Sequence, residues 1–286
     1  MGIHVLKRDD ADFPIILRQI PSPPKQLFWL GVHPNTLISQ PRVAIVGSRK
    51  VSAYGRTVTE RLAGELARLG VVIVSGLALG VDAVAHQATL DAGGLTMAVL
   101  PTNLDSIYPA SHFNLARQII ASGGGLISEY PPGTEAFPSN FIARNRLVSG
   151  LADVLLITEA AKNSGTMHTA GFALEQGRTV MAVPGNINSP GSEGCNNLIK
   201  AGATPVTATE DVLFVLGLRS GAGEQTSIFR GTDNEQKIFD LIRRGVADQE
   251  EIAVAARLEG PALSAALTML EINGYIRAER GSWTLV

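Results

Sequence analysis

Two arginines and an asparagine stand side by side in FIARNRLVSG (141–150), just ahead of an apolar stretch that reads as a strand. A guanidinium offers a planar fork of N–H donors that matches phosphate oxygens, so Arg144 and Arg146 are candidates for an anion site, with Asn145 beside them. Four further segments carry compatible chemistry. GSRKVSAYG (47–55) sets Gly47, where a backbone can turn sharply, ahead of the hydroxyls of Ser48 and Ser52 and the cations Arg49 and Lys50. EAAKNSGTMHTA (159–170) places Lys162, Ser164, Gly165 and Thr166 at a helix start, where free amides suit an anion. Gly76 lies in SGLALGVDAVAH (75–86), and Asn196, Asn197 and Lys200 lie in PGNINSPGSEGCNNLIKAGA (184–203).

Other chemistries lack their residues. There is no GxxxxGK[ST], and no GxGxxG follows a strand; GGGL (123–126) precedes one instead. His86 and His168 lack metal-ligand spacing, and neither CxxC nor HExxH occurs, so no metal and no cofactor is expected. Cys195 has no His–Asp arrangement near it and reads as a packed residue. Asp82, after a glycine near a helix start, reads as a cap or dipole partner rather than a catalytic acid. No catalytic residue is expected.

Elements must hold these loops in place. RVAIVG (42–47), VVIVSG (71–76), TMAVLP (96–101), GLISEY (125–130), DVLLITEA (153–160) and TVMAVPG (179–185) each read as a short strand. Apolar runs without polar alternation fit parallel strands covered on both faces. Helical patterns lie between them: Val58, Leu62, Leu66 and Leu69 recur on one face, and SHFNLARQIIASG opens on a Ser cap and stops at a Gly. The alternation predicts an α/β fold with a doubly wound, mostly parallel sheet over residues 40–218. Ligands of such a sheet bind beyond the carboxyl ends of the strands, where the anion-binding loops fall.

Residues 1–39 are Pro-rich and read as an arm packed on this core, and 219–234, rich in Gly and Ser, reads as a linker. Residues 235–286 give three short amphipathic helices and two strands around a Gly-Ser turn, the pattern of a small C-terminal winged-helix domain. Its third helix, within GPALSAALTMLEING, has no Lys or Arg, and the domain has 6 basic against 8 acidic residues. A helix that reads a major groove brings cations, so a protein-contact or dimer module is expected here.

The chain has 286 residues, 45% hydrophobic and 17% charged, with a formal net charge of −2. No global basic field advertises a polyanion, so any anion site must be local. Residues 40–218 hold twelve Lys and Arg against thirteen Asp and Glu, yet Arg49, Lys50, Arg56, Arg144, Arg146, Lys162 and Lys200 all fall in or beside the carboxyl-end loops. Phe141 and Tyr54 lie among them. Arginine beside aromatics suits single-stranded nucleic acid, whose phosphates pair and whose bases stack. One cysteine, no signal-like N-terminus and no apolar run long enough for a bilayer point to the cytoplasm and to no membrane association.

The ordered motifs VAIVGSRKVSAYG, VSGLALGVDAVAH, YP, ISEYPPG, FIARNRLVSGLA, EAAKNSGTMHTA and VPGNINSPGSEGCNNLIKAGA resemble the DNA-processing protein A family, DprA or Smf, over residues 13–217. The resemblance implies an extended Rossmann fold, single-stranded DNA binding, a homodimer, and loading of the RecA recombinase in natural transformation. It implies phosphate contacts from Gly47, Ser48 and Arg49, from Arg144, Asn145 and Arg146, and from Ser164, Gly165 and Thr166, with Phe141 against a base. The chain departs from the family pattern at Leu79, usually Arg, at Ile142, usually Pro, and at His168, usually aliphatic.

Two alternatives stay open. Arg144 and Arg146 could instead pair with Glu129, Asp153 or Glu159 in a structural network. The chain also resembles nucleotide-processing phosphoribohydrolases in its Gly-Thr loop and nearby carboxylates, so Glu129, Glu159 or Glu175 could act on a ribosyl bond, or the pocket could sense a nucleotide. The fuller PGGxGTxxE pattern of those enzymes is missing.

Overall fold

The computed structural model of the chain describes residues 2–218, 231–243, 245–273, 275–279 and 282–285. They divide into two compact units, 1–221 and 222–286.

Among the described residues, the first unit is built on nine strands: β1 (His4–Lys7), β2 (Gln26–Gly31), β3 (Arg42–Val46), β4 (Val72–Ser75), β5 (Thr96–Leu100), β6 (Gly125–Ser128), β7 (Val154–Ile157), β8 (Thr179–Ala182) and β9 (Thr204–Pro205). Its helices are α1 (Ile15–Arg18), α2 (Pro34–Ile38), α3 (Ala53–Arg68), α4 (Val81–Asp91), α5 (Phe113–Ala121), α6 (Pro138–Gly150), α7 (Thr166–Glu175), α8 (Glu193–Lys200) and α9 (Thr209–Val215). All six apolar bursts become strands, and β3 to β8 run parallel in the order β6-β5-β4-β3-β7-β8. The chain winds outward from β3 to β6, then crosses back to β7 and winds the other way. The switch of direction between β3 and β7 opens a crevice between the loops that follow those two strands.

Side-chain alternation along each strand splits the core into two layers. Ala44, Val46, Val74, Leu155 and Ile157 meet Leu147, Val148, Ala170 and Ala173 of α6 and α7 on one face. Val43, Ile45, Ile73 and Leu156 meet Leu62, Ala63 and Leu66 of α3, with Val81 and Ala85 of α4, on the other. The α3 stripe is therefore as expected at Leu62 and Leu66, but Leu69 lies past the helix and is half exposed. Ser111 does not cap α5; it sits in a 3-10 turn, Ala110–His112, ahead of that helix.

The N-terminal segment does more than pack on the core. Strands β1 and β2 extend the sheet antiparallel at β6, in the register Phe28 against Ser128 and Leu30 against Leu126. The proline cluster of residues 21–24 lies just before β2 and does not interrupt it. Strand β9 adds two residues at the far edge, a pairing too short to show in a hydrophobic pattern.

The second unit holds α10 (Asp233–Arg243), α11 (Gln249–Ala256) and α12 (Gly260–Ile272), then the antiparallel pair β10 (Ile276–Glu279) and β11 (Ser282–Leu285). Ile238, Ile252, Leu263, Leu267, Leu270 and Ile276 form its core. This is a winged helix, with β10 and β11 as the wing. Asp248 caps α11 by accepting from the amides of Glu250 and Glu251. Of the expected linker, residues 219–230 lie outside the described residues, as does Gly281 of the wing turn, and Asp233 already opens α10.

Candidate functional site

At the switch point lies a cavity of about 530 Å3, walled by the loops after β3 and β7 and by one face of α6. The RNR segment is not a loop but helix, which decides where its side chains go. Phe141, Arg144, Asn145 and Val148 follow helical spacing and all line the cavity. Arg146 sits two positions past Arg144, roughly 200° around the axis, so the two arginines cannot share a face. Arg146 points to the opposite side. Its Nη2 donates to both Glu129 oxygens at 2.8 Å, its Nε to the Ser22 carbonyl at 3.0 Å and its Nη1 to the Ala143 carbonyl at 3.1 Å.

Arg144 is 4% exposed. Its Nη1 donates to the Gly76 carbonyl at 2.6 Å and to the Val99 carbonyl, at the ends of β4 and β5, and its Nε donates to Asn145 Oδ1 at 3.3 Å. Asp82, in the first turn of α4, accepts from the amides of Gly76 at 3.1 Å and Ala78 at 3.4 Å. A β-carbon at Gly76 would lie 2.6 Å from both Arg144 Nη2 and Asp82 Oδ2, so only glycine lets the two groups converge. Among the described residues, no carboxylate lies within ion-pair distance of Arg144. Burial pulls its guanidinium down to about 10, against the pull of Asp82, and it stays protonated at neutral pH. Burial also pushes the Asp82 carboxyl up, partly offset by Arg144. The cavity floor is thus a buried cation held by carbonyl dipoles, with its charge uncompensated at ion-pair range.

The mouth carries exposed Arg49 and Lys50, with Gly47 and Ser48 behind them. The Arg49 guanidinium lies 5.5 Å from the Phe141 ring centroid, and Tyr108 meets Phe141 edge-on at 5.1 Å. Leu79, Pro101, Tyr108 and Phe141 line a small apolar pocket of about 50 Å3 that shares Arg49 and Arg144 with the cavity. The sequence does not single out Tyr108 as a binding residue. Its signal, an aromatic near cations, exists only once folding brings position 108 beside 141.

On the other wall, Ser164, Gly165 and Thr166 open α7. Among the described residues, no side chain caps this helix, and Ser164 Oγ is enclosed without a hydrogen-bond partner. An anion in the cavity would complete that end.

Several predicted residues are engaged elsewhere and do not line the cavity. Ser52 caps α3 and bonds to Glu159. Tyr54 donates to the Pro184 carbonyl at 2.7 Å. Lys162 faces Glu193 at 3.5 Å, and Arg56 faces Glu60 at 3.7 Å. Asn196 braces Gly185 through two bonds of 3.1 Å. Asn197 is exposed on α8, and Lys200 ends that helix, where a cation suits the dipole. Of the seven cations expected near the strand ends, Arg49, Lys50 and Arg144 line the cavity. A groove of about 640 Å3 over α3 and α4 offers no comparable charge, since Arg56 and Arg68 there are matched by Glu60 and Asp91.

The carboxylates are equally committed. Glu129 is held by Arg146, Glu159 by Ser52, and Glu175 ends α7 at the far end from its cavity-facing start. Cys195 is buried with its thiol pushed up to about 12 by burial, so it is packed as expected. His86 is buried, bonds to Thr96 Oγ1 at 2.7 Å and is pulled down to about 3 by burial, with His112 and Arg144 adding to the effect. Among the described residues, no group of His, Cys, Asp or Glu is placed to hold a metal ion.

Residues 4–217 match the family model of DNA recombination-mediator protein A, and residues 223–282 match that of the DprA winged helix domain. The chain is 37% identical to Protein Smf of Escherichia coli, over 98% of this chain and 76% of the relative. It is similar in structure to DNA processing protein A of Streptococcus pneumoniae, at 39% identity and a TM-score of 0.69 over 74% of each chain. It is also similar to DNA processing protein A of Helicobacter pylori, at 34% identity and a TM-score of 0.66 over 75% of this chain and 95% of that one. The Helicobacter pylori structure concerns a single-stranded DNA binding mode.

Proposed function

Because the chain belongs to the DNA recombination-mediator protein A family, we propose that it is a single-stranded DNA-binding protein whose phosphate site is the cavity at the switch point. The observation that carries this reading is Arg144, a buried guanidinium with no carboxylate in ion-pair range among the described residues, beneath a mouth that carries Arg49 and Lys50. A buried charge calls for a counterion, and a strand phosphate supplies one. The open end of α7 and the enclosed Ser164 hydroxyl add donors to the same anion.

The apolar pocket beside it supports single strand over duplex. Phe141 and Tyr108 offer ring surface next to the phosphate site, and a stacked base contributes roughly 1–3 kcal/mol. A duplex keeps its base faces stacked inside and offers none to such a pocket. Ser48, Gly47, Asn145, Gly165 and Thr166 contribute from the walls. Ser52, Tyr54, Arg146, Lys162 and Asn196 are engaged with partners off the cavity wall, and Asn197 and Lys200 lie exposed on α8, so none of them is assigned to the phosphate site.

In the cell the protein would act in the cytoplasm as a homodimer, protecting incoming strands and helping to load the RecA recombinase in natural transformation. Paired cavities in a dimer raise avidity for one strand. Among the described residues, no helix is long and apolar enough to cross a membrane. Helix α12 exposes Ala265, Thr268, Met269 and Ile272 and has no Lys or Arg, which supports a protein-contact role for the winged helix. A phosphoribohydrolase reading is weakened because Glu129, Glu159 and Glu175 all lie off the cavity wall.

Fluorescence anisotropy with labelled oligonucleotides tests the proposal. Single strands should bind more tightly than duplex of the same length, with a salt slope of about −0.7 for each phosphate held. Equal affinity for both, with no salt slope, overturns it.

A further inference from the structure

In a doubly wound sheet, the helix that follows the first strand normally receives a ligand phosphate at its N-terminus. Here that position, the start of α3, is filled by the protein itself. Glu159, at the end of β7 and 4% exposed, reaches across the switch point. The Ser52 amide donates to Glu159 Oε1 at 3.0 Å and to Oε2 at 3.3 Å, and the Ser52 hydroxyl donates to Oε2. That hydroxyl in turn accepts from the Gly55 amide at 3.1 Å. A β-carbon at Gly55 would overlap Glu159 Oε2, so the first turn of α3 is shaped around the carboxylate. The loops are also tied by the Ser48 amide, which donates to the Glu159 carbonyl at 2.7 Å.

We propose that Glu159 is a specificity-determining residue: its carboxylate is a resident anion that closes the α3 N-terminus to free nucleotides and pyrophosphate. A tethered carboxylate holds the site without any loss of translational freedom on binding, whereas a competing phosphate must displace it and meet its charge. The crevice then has one end open to an anion, at α7, and one end shut, at α3. A nucleoside di- or triphosphate, which needs a run of donors along its phosphates, finds only half of them. This goes beyond strand binding, since it concerns what the crevice rejects, and its geometry stands whether or not the strand reading holds.

The test uses the full chain, wild type and Glu159→Ala, with inorganic pyrophosphate as the probe. Calorimetry should show Glu159→Ala binding pyrophosphate at least about tenfold more tightly than wild type, one decade in Kd. The melting temperature of the variant should rise more with pyrophosphate than that of wild type, whose only open end is at α7, because a ligand that binds only the folded form stabilises it. If the substitution leaves the chain unfolded, pyrophosphate should restore a melting transition. A folded variant that gains no affinity, or an unfolded one that pyrophosphate does not rescue, overturns the proposal. Oligonucleotide anisotropy on the wild type is run alongside. Its failure would remove the strand reading and leave the pyrophosphate result intact.

Discussion

Arg49→Ala and Arg146→Ala should separate strand binding from stability in opposite ways. Arg49 is exposed at the cavity mouth and touches only the Phe141 ring among the contacts described above, so its removal disturbs little of the fold. Loss of one charge-assisted phosphate contact should weaken strand affinity by about 1.5 kcal/mol, roughly tenfold. The salt slope should fall by about 0.7, and stability should change by less than about 0.5 kcal/mol. Arg146 is the reverse case. Its side chain is 13% exposed and that of Glu129 22%, and they share two bonds of 2.8 Å. Truncation leaves Glu129 and the Ser22 carbonyl without their partner, and should destabilise the first unit by about 2–4 kcal/mol. For a unit of this size that is a fall in Tm of roughly 5–15 °C. Well below that temperature the salt slope should match wild type. Anisotropy titrations at four salt concentrations, beside calorimetric melts of both variants, make the comparison. If Arg146→Ala lowered the slope as much as Arg49→Ala and left Tm unchanged, the helical-phase argument that separates the two arginines would be wrong.

Other substitutions probe the same framework. Gly76→Ala places a methyl 2.6 Å from Arg144 Nη2 and Asp82 Oδ2, and should lower the urea midpoint while weakening strand binding together with it. His86 gives an acid dependence. Its folded value of about 3 lies below the ordinary 6.5, so the unfolded chain binds the extra proton as pH falls. Its contribution is a loss of about 1.4 kcal/mol per pH unit from about 6.5 down towards 3, and His86→Gln should flatten the urea midpoint over that window. Asp82, whose carboxyl is pushed up by burial, acts with the opposite sign: the folded state holds its proton more tightly, so this group adds stability as pH falls below the raised value. Cys195, buried with its thiol pushed up to about 12, should resist thiol-disulfide reagents in the native protein and react fully in denaturant. Rapid labelling under native conditions would contradict that packing.

Much of the fold can be read from local pattern. The six apolar bursts, their parallel sense and the winged helix follow from hydrophobic period, flanking glycines and element length, which are properties of neighbouring residues. The loops beyond the strand ends could be listed in the same way, and Arg49, Lys50, Ser164 and Gly165 do meet at one cavity. Chain contacts of long range decided the rest. Arg144 and Arg146 look alike in sequence, but α6 turns one toward the cavity and the other toward Glu129. Ser52 and Lys162 read as phosphate ligands, but Glu159 and Glu193 engage them. Tyr108 reaches Phe141 only through packing. Strands β1 and β2 needed β6 to declare them as part of the sheet. The physical reason is common to all of these. Periodicity reports which way a residue faces on its own element, whereas the state of a charge depends on which partner lies within about 4 Å of it, and only the folded chain sets that distance.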